Sequence, residues 1–276
     1  MRWIQKQSGQ PACIETFVAL QTAAREREGG DWQQFGMDFR SMNTKILKGL
    51  LIKEQLGLCA YTGAGIDDGR IERRRPIYQT PPRLDYWFTS HIEHLKSQQQ
   101  CRQELEAAHG TYGKDRCEDI DYHNLVVAIE VAGKESEHFG AVARKNEPLP
   151  IWPTHWDCES AFTYFLDGTI RGMTDTALET ARLLRLDHDT LIAWRSEKID
   201  EWFGLPSEDT FPVQGMDKDG ADSMPTPERL PASRLREIIA AMESPVGDQL
   251  PEFSFVIAQI AKDALAMQEK IQVEIS

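Results

Sequence analysis

Two imidazoles and a carboxylate fall within five residues at Ser90-His91-Ile92-Glu93-His94. In an extended strand, His91 and Glu93 share one face and His94 takes the other. At a strand end the alternation relaxes, so Glu93 and His94 can flank one scissile bond. The chemistry this suggests is metal-assisted hydrolysis. Glu93 holds a hard divalent cation, Mg²⁺ or Mn²⁺, and His94 takes a proton from water. His91, on the face of Glu93, is the candidate second ligand. The plain alternative is that these are structural or surface residues. The spacing is not HExxH, so the helical zinc-protease geometry does not apply.

Thirty residues on, Asp121-Tyr122-His123-Asn124 opens the apolar run Leu125-Val126-Val127. An asparagine at the mouth of such a run needs partners for its amide. One expectation is that its side-chain oxygen orients the His94 ring; the other is a plain turn or cap asparagine. Positive charge for a nucleic-acid substrate is concentrated at Arg70, Arg73, Arg74, Arg75 and Arg83, with Tyr78, Tyr86 and Trp87 nearby to stack on unpaired bases. Lys145 and Arg144 offer a second phosphate contact. Each basic group reads equally as a solvated surface.

These residues need elements to carry them. WFTSHIEHL is a short β-prone run, and DIDYHNLVVAIEVAG reads as a strand or the start of a buried helix, which periodicity does not decide. Residues 13–27 and 41–56 read as helices, LCAYTGAGIDDG as a short strand and turn, and residues 70–86 as an irregular loop broken by Pro76, Pro81 and Pro82. FTYFLDGTIRG is a hairpin around a DG turn. Helical patterns follow from Thr174 to Phe203. A linker rich in Gly, Asp, Ser and Pro spans 204–231, and two amphipathic helices close the chain. The expected organisation is a domain over 1–203, the linker, and a helical segment over 232–276.

Length and composition set the bounds. The chain has 276 residues, 41% hydrophobic and 27% charged, an ordinary globular balance. No run reaches the ~18–20 apolar residues of a membrane span, and MRWIQKQSGQPACIE lacks the apolar core of a signal peptide. Five scattered cysteines without a CxxC suggest a reduced, cytoplasmic protein. The net charge of -13 argues against a protein that coats nucleic acid through a global basic field. That charge is uneven. Residues 171–276 hold 11 basic and 20 acidic residues, against 20 and 24 in residues 1–170. The half with the histidines is only mildly acidic.

The order LIKEQLGLCAY (51–61), HIEHLKSQ (91–98), DIDYHNLVVA (119–128), FGAVARKNEPLPIWP (139–153) and DCESAFTYFLDGTI (157–170) resembles the PtuB-like HNH endonucleases of Septu-type and retron-associated antiphage systems. The likeness covers roughly residues 1–203, including the opening MRWIQK. It implies an α+β fold, with a small ββα-metal (HNH) core embedded in a mainly helical chain. It puts Glu93 in the acidic metal-binding place, His94 in the general-base place and Asn124 in the middle, histidine-orienting place. It also implies an ABC-type, SMC-like (PtuA-like) ATPase partner. In retron versions a reverse transcriptase and its RNA–DNA product join it. Either DNA or RNA fits as substrate.

The chain departs from that pattern. Many members carry CAYC and a later Cys-Gly that bind structural zinc. Here Thr62 stands at the second cysteine and Phe139-Gly140 at the later pair, so no structural zinc is expected. Leu58, Tyr61 and Phe139 are expected to pack that region instead. The third catalytic position falls at or near Ala141, which leaves His91, His138 and Asn146 as substitutes, with His91 favoured. Two other classes stay open. One is a catalytically weak scaffold between an ATPase and a nucleic acid. The other is an interaction protein working through its acidic C-terminal helices.

Overall fold

The run Tyr86–His94, rich in aromatic and β-branched residues, forms the longest described strand. The computed structural model describes residues 1–28, 44–67, 71–73, 86–109, 118–204 and 226–275. Helix α1 (Ala12–Glu28) and helix α2 (Thr44–Glu54) lead into strand β1 (Ile71–Arg73) and strand β2 (Tyr86–His94). Helix α3 (Gln98–His109) then precedes strand β3 (Leu125–Glu130). The sheet is antiparallel, in the order β1-β2-β3, with His91 opposite Ala128 and His94 opposite Leu125.

The ambiguous run after Asn124 is therefore a strand. Its five residues Leu125 to Ile129 are all buried, so both faces are covered and no alternation survives in the sequence. Helix α2 lies near β3, as does the short helix α4 (Ala141–Arg144) that follows it.

The far edge of β3 is closed by a knuckle instead of a strand. Gln55 donates to the Val127 carbonyl at 2.8 Å and accepts from the Val127 amide at 2.6 Å, as a paired strand residue would. Ala60 N donates to the same carbonyl, and Cys59 Sγ accepts from Ile129 N at 3.3 Å. LCAYTGAG curls because Gly57 and Gly63 have positive φ, leaving only an isolated bridge from Leu58 to Gly65. A β-carbon on Gly63 would sit 2.3 Å from the Phe255 ring, so that turn and the C-terminal helix approach at backbone range.

Strands β4 (Phe162–Tyr164) and β5 (Ile170–Gly172) make the expected hairpin. Helices α5 (Asp175–Leu184), α6 (Asp189–Phe203), α7 (Ala232–Glu243) and α8 (Ser254–Ile275) follow. Segments 1–203 and 232–276, distinct in sequence, share one apolar cluster in which Ile238, Ile257 and Ala261 are buried together with Leu125, Val127 and Phe139. Leu58, Tyr61 and Phe139 are all buried. The architecture is α+β, and no described helix is long and apolar enough to cross a membrane. Most of the 204–231 linker lies outside the described residues.

Candidate active site

The last residues of β2 bring the titratable groups together. His91 and Glu93 share a face, with His91 Nε2 3.4 Å from Glu93 Oε2. Both are partly open to solvent, at 31% and 14% side-chain exposure. His94 sits at the strand end. Burial pushes its imidazole down to about 4, against the opposing pull of Glu93 and a hydrogen bond to the Asp119 backbone. The ring is therefore neutral at neutral pH, and its Nε2 is buried away from solvent in this structure.

Asn124 acts on the backbone around His94 and not on its ring. Its side-chain oxygen accepts from Lys96 N at 2.7 Å, and its amide donates to the carbonyls of Lys96 and Glu118. The expectation that this oxygen holds the His94 ring is corrected here. The ladder ends at His94–Leu125, so Asn124 lies beyond it and faces the exit of β2. By tying Lys96 to Glu118, Asn124 fixes both the segment after His94 and the segment leading to Asp119, whose backbone bonds the ring. Lys96 reinforces the same joint through ion pairs to Glu104 and Glu118.

Arg144 comes to this strand end from the other side. It is the last residue of α4 and is 2% exposed. Its guanidinium donates to the His94 carbonyl at 2.7 Å and the Leu95 carbonyl at 2.9 Å, and lies 3.2 Å from Glu93 Oε1. It also donates to Tyr61 Oη at 3.3 Å. The Tyr61 hydroxyl in turn points at Glu93 Oε1 from 3.4 Å. Burial, with Glu93 close by, lifts the Tyr61 phenol well above the usual tyrosine range, so it stays a donor. The sequence reading placed Arg144 with Lys145 as a phosphate contact or a solvated basic pair, and Tyr61 only in the core. The available signal was the run FGAVAR, in which the arginine closes an apolar stretch.

Glu93 therefore has two unlike oxygens. Oε1 is turned inward to Arg144 and Tyr61, while Oε2 is turned toward His91. Two neighbouring ligands of an octahedral ion with ~2.1 Å bonds stand ~3 Å apart. Glu93 Oε2 and His91 Nε2 fit such an ion with little movement. Among the described residues no cluster of three or more His, Cys, Asp or Glu forms a metal cage. Most of the coordination would come from water and phosphate, the usual habit of Mg²⁺.

The other substitutes for the third position are engaged elsewhere. His138 Nε2 contacts the Gly133 carbonyl at 3.1 Å, and Asn146 donates to Gln99 at 3.1 Å. Lys145 is exposed and pairs with Glu135 at 2.5 Å. The Arg73 backbone belongs to β1 and pairs with Tyr86; Arg70, Arg74, Arg75, Arg83 and Tyr78 lie outside the described residues. At the knuckle, Thr62 Oγ accepts from Ala64 N, and its methyl lies 3.7 Å from where Gly140 would carry a β-carbon.

No protein-family model matches the chain, and no curated protein matches it.

Proposed function

We propose that this protein is a metal-dependent HNH-type endonuclease, an effector of a bacterial antiphage system of the Septu or retron kind. It hydrolyses phosphodiester bonds of DNA or RNA when activated together with an SMC-like ATPase. In retron versions the partners include a reverse transcriptase and its RNA–DNA product. The observation that carries this reading is the neutral, buried His94 at a strand end, beside Glu93, with Asn124 pinning the backbone around it. Two antiparallel strands followed by the short helix α4 support a ββα-type core.

In this reading Glu93 Oε2 and His91 Nε2 hold Mg²⁺ or Mn²⁺. When bound, the ion supplies charge stabilisation at a non-bridging phosphate oxygen and the leaving oxygen. His94 accepts the proton of an in-line water. An anionic phosphodiester beside the ring lowers the cost of charging it. The Asp119 backbone bonds the ring and so fixes its tautomer; the other nitrogen, Nε2, is buried here and would meet the water only once substrate binding uncovers it. Arg73, Arg74, Arg75 and Arg83 grip phosphates, with Lys145 contributing once freed from Glu135. The net charge of -13 makes delivery of substrate by a partner part of the proposal.

Nicking of DNA and RNA substrates by the full chain with its ATPase partner and Mn²⁺ tests this. His94→Ala is expected to lower cleavage ~10²–10⁴-fold with the fold intact. Wild-type cleavage by that variant would sink the assignment. One observation favours the scaffold alternative: a buried guanidinium already lies against Glu93. If the scaffold reading holds, the wild-type chain does not cut under any of these conditions.

A further inference from the structure

The inward side of Glu93 holds a fixed cation. Arg144 cannot relax away from it easily. Its guanidinium is tied to two backbone carbonyls, of His94 and Leu95, at 2.7 and 2.9 Å. Those bonds are short, whereas its contact to Glu93 Oε1 is 3.2 Å. The guanidinium is therefore positioned by the backbone, and Glu93 responds to it. Its Nε is buried without a hydrogen-bond partner among the described residues, so the group is also incompletely satisfied. On the outward side, His91 Nδ1 is likewise buried and lacks a partner, while its Nε2 faces Glu93 Oε2.

Resting on the nuclease reading, we propose that Arg144 is a built-in competitor of the divalent ion for Glu93. It keeps the isolated chain in a state of weak metal affinity. A carboxylate already facing a guanidinium has less charge to offer a second cation, and the two cations repel across a partly desolvated site. The ion binds firmly only when a phosphodiester adds its own oxygens. That makes metal loading dependent on substrate and suppresses cleavage by a chain without its partner. Arg144 is thus a positioning residue, acting through Glu93, and it comes from the segment where the PtuB-like pattern would supply a further ligand.

Mn²⁺ binding to the full chain, read from the loss of the free-ion EPR signal without nucleic acid, tests this. Arg144→Gln keeps a hydrogen-bonding group and removes the charge; it is expected to bind Mn²⁺ at least about tenfold more tightly than wild type. Arg144→Lys keeps the charge and is expected to bind as weakly as wild type. Glu93→Gln should abolish the site in every background. A folded Arg144→Gln protein that binds no more tightly than wild type overturns the proposal. If Arg144→Gln does not fold, the wild-type chain decides: a Kd weaker than about 0.1 mM supports it, and tighter binding that vanishes in Glu93→Gln overturns it. Because no nucleic acid is present, this outcome is separate from that of the nuclease reading. Tightening in Arg144→Gln beside a wild-type chain that never cuts would keep the competitor and remove the nuclease.

Discussion

Two clusters of polar groups flank strand β3, and they are bonded in different ways. At the knuckle, Gln55 meets Val127 and Leu58 through bonds of 2.6 to 2.8 Å, and every one of these partners is backbone. At the end of β2, the side-chain contacts around Glu93 are 3.2 to 3.4 Å long, while the shorter bonds of Arg144 run to backbone. Buried polar groups whose task is architecture are closely satisfied. The Glu93 carboxylate is met at longer distances by an imidazole, a phenol and a guanidinium. The knuckle reads as structure and the strand end as a place for chemistry.

The largest effect that can break this contrast is functional. Glu93→Gln is expected to lower metal-dependent cleavage by ~10²-fold or more, because it removes the one carboxylate facing the proposed ion. Some stability is lost as well, because the buried Arg144 guanidinium loses its anionic partner. Gln55→Ala should act on stability alone. It strands the amide of Val127 in the core and leaves the Val127 carbonyl with Ala60 N alone, at a cost of about 1–3 kcal/mol, and leaves cleavage per folded molecule unchanged. Urea denaturation beside a nicking assay gives both numbers. If Glu93→Gln unfolds the protein while Gln55→Ala abolishes cleavage, the two clusters have been assigned the wrong way round.

Asn124 sits between these extremes. Asn124→Ala removes three bonds that tie Lys96 to Glu118, with an expected loss of about 1–3 kcal/mol. It should also loosen the backbone next to His94 and lower cleavage. Faster amide hydrogen exchange at Lys96 would locate the change. Unchanged exchange at Lys96 would show that the amide does not hold this joint.

Acid stability separates the clusters again. The His94 imidazole is depressed to about 4 in the folded chain from an ordinary 6.5. Between those values the unfolded chain binds more protons, so His94 contributes stability that is present above pH 6.5 and lost as pH falls toward 4. The contribution is roughly 3 kcal/mol at most. Denaturant titrations from pH 7 to pH 4.5 should show a slope that His94→Gln flattens. An identical slope in that variant would place the ring in water.

The strand end was readable because β2 is a half-covered strand. WFTSHIEH shows its β character openly, and period two puts His91 beside Glu93, as their 3.4 Å contact requires. Strand β3 was not readable in the same way, since burial on both faces erases the alternation that distinguishes strand from helix. Asn124 was legible as a residue in need of partners, but not which ones, because that depends on where the ladder with β2 stops. Arg144 was hidden for a different reason. Beside Lys145 it looks like half of a solvated basic pair, and only the packing of α4 against the strand end buries one and exposes the other.

The smallest effect concerns the knuckle and zinc. Cys59 Sγ is engaged as an acceptor for the Ile129 amide of β3, and Thr62 Oγ accepts from Ala64 N in its own turn, so each side chain already serves the backbone. The apolar ring of Phe139 packs on Phe88 and Trp194 at centroid distances of 6.3 and 5.7 Å, filling space next to Gly140. A region held by such contacts owes its stability to packing and hydrogen bonds. A strong chelator should therefore leave the melting temperature where it was. Cys59→Ala should lower stability by about 1 kcal/mol through the stranded Ile129 amide. A chelator-induced drop in melting temperature that Cys59→Ala abolishes would instead make the sulfur a metal ligand and the knuckle the second functional cluster.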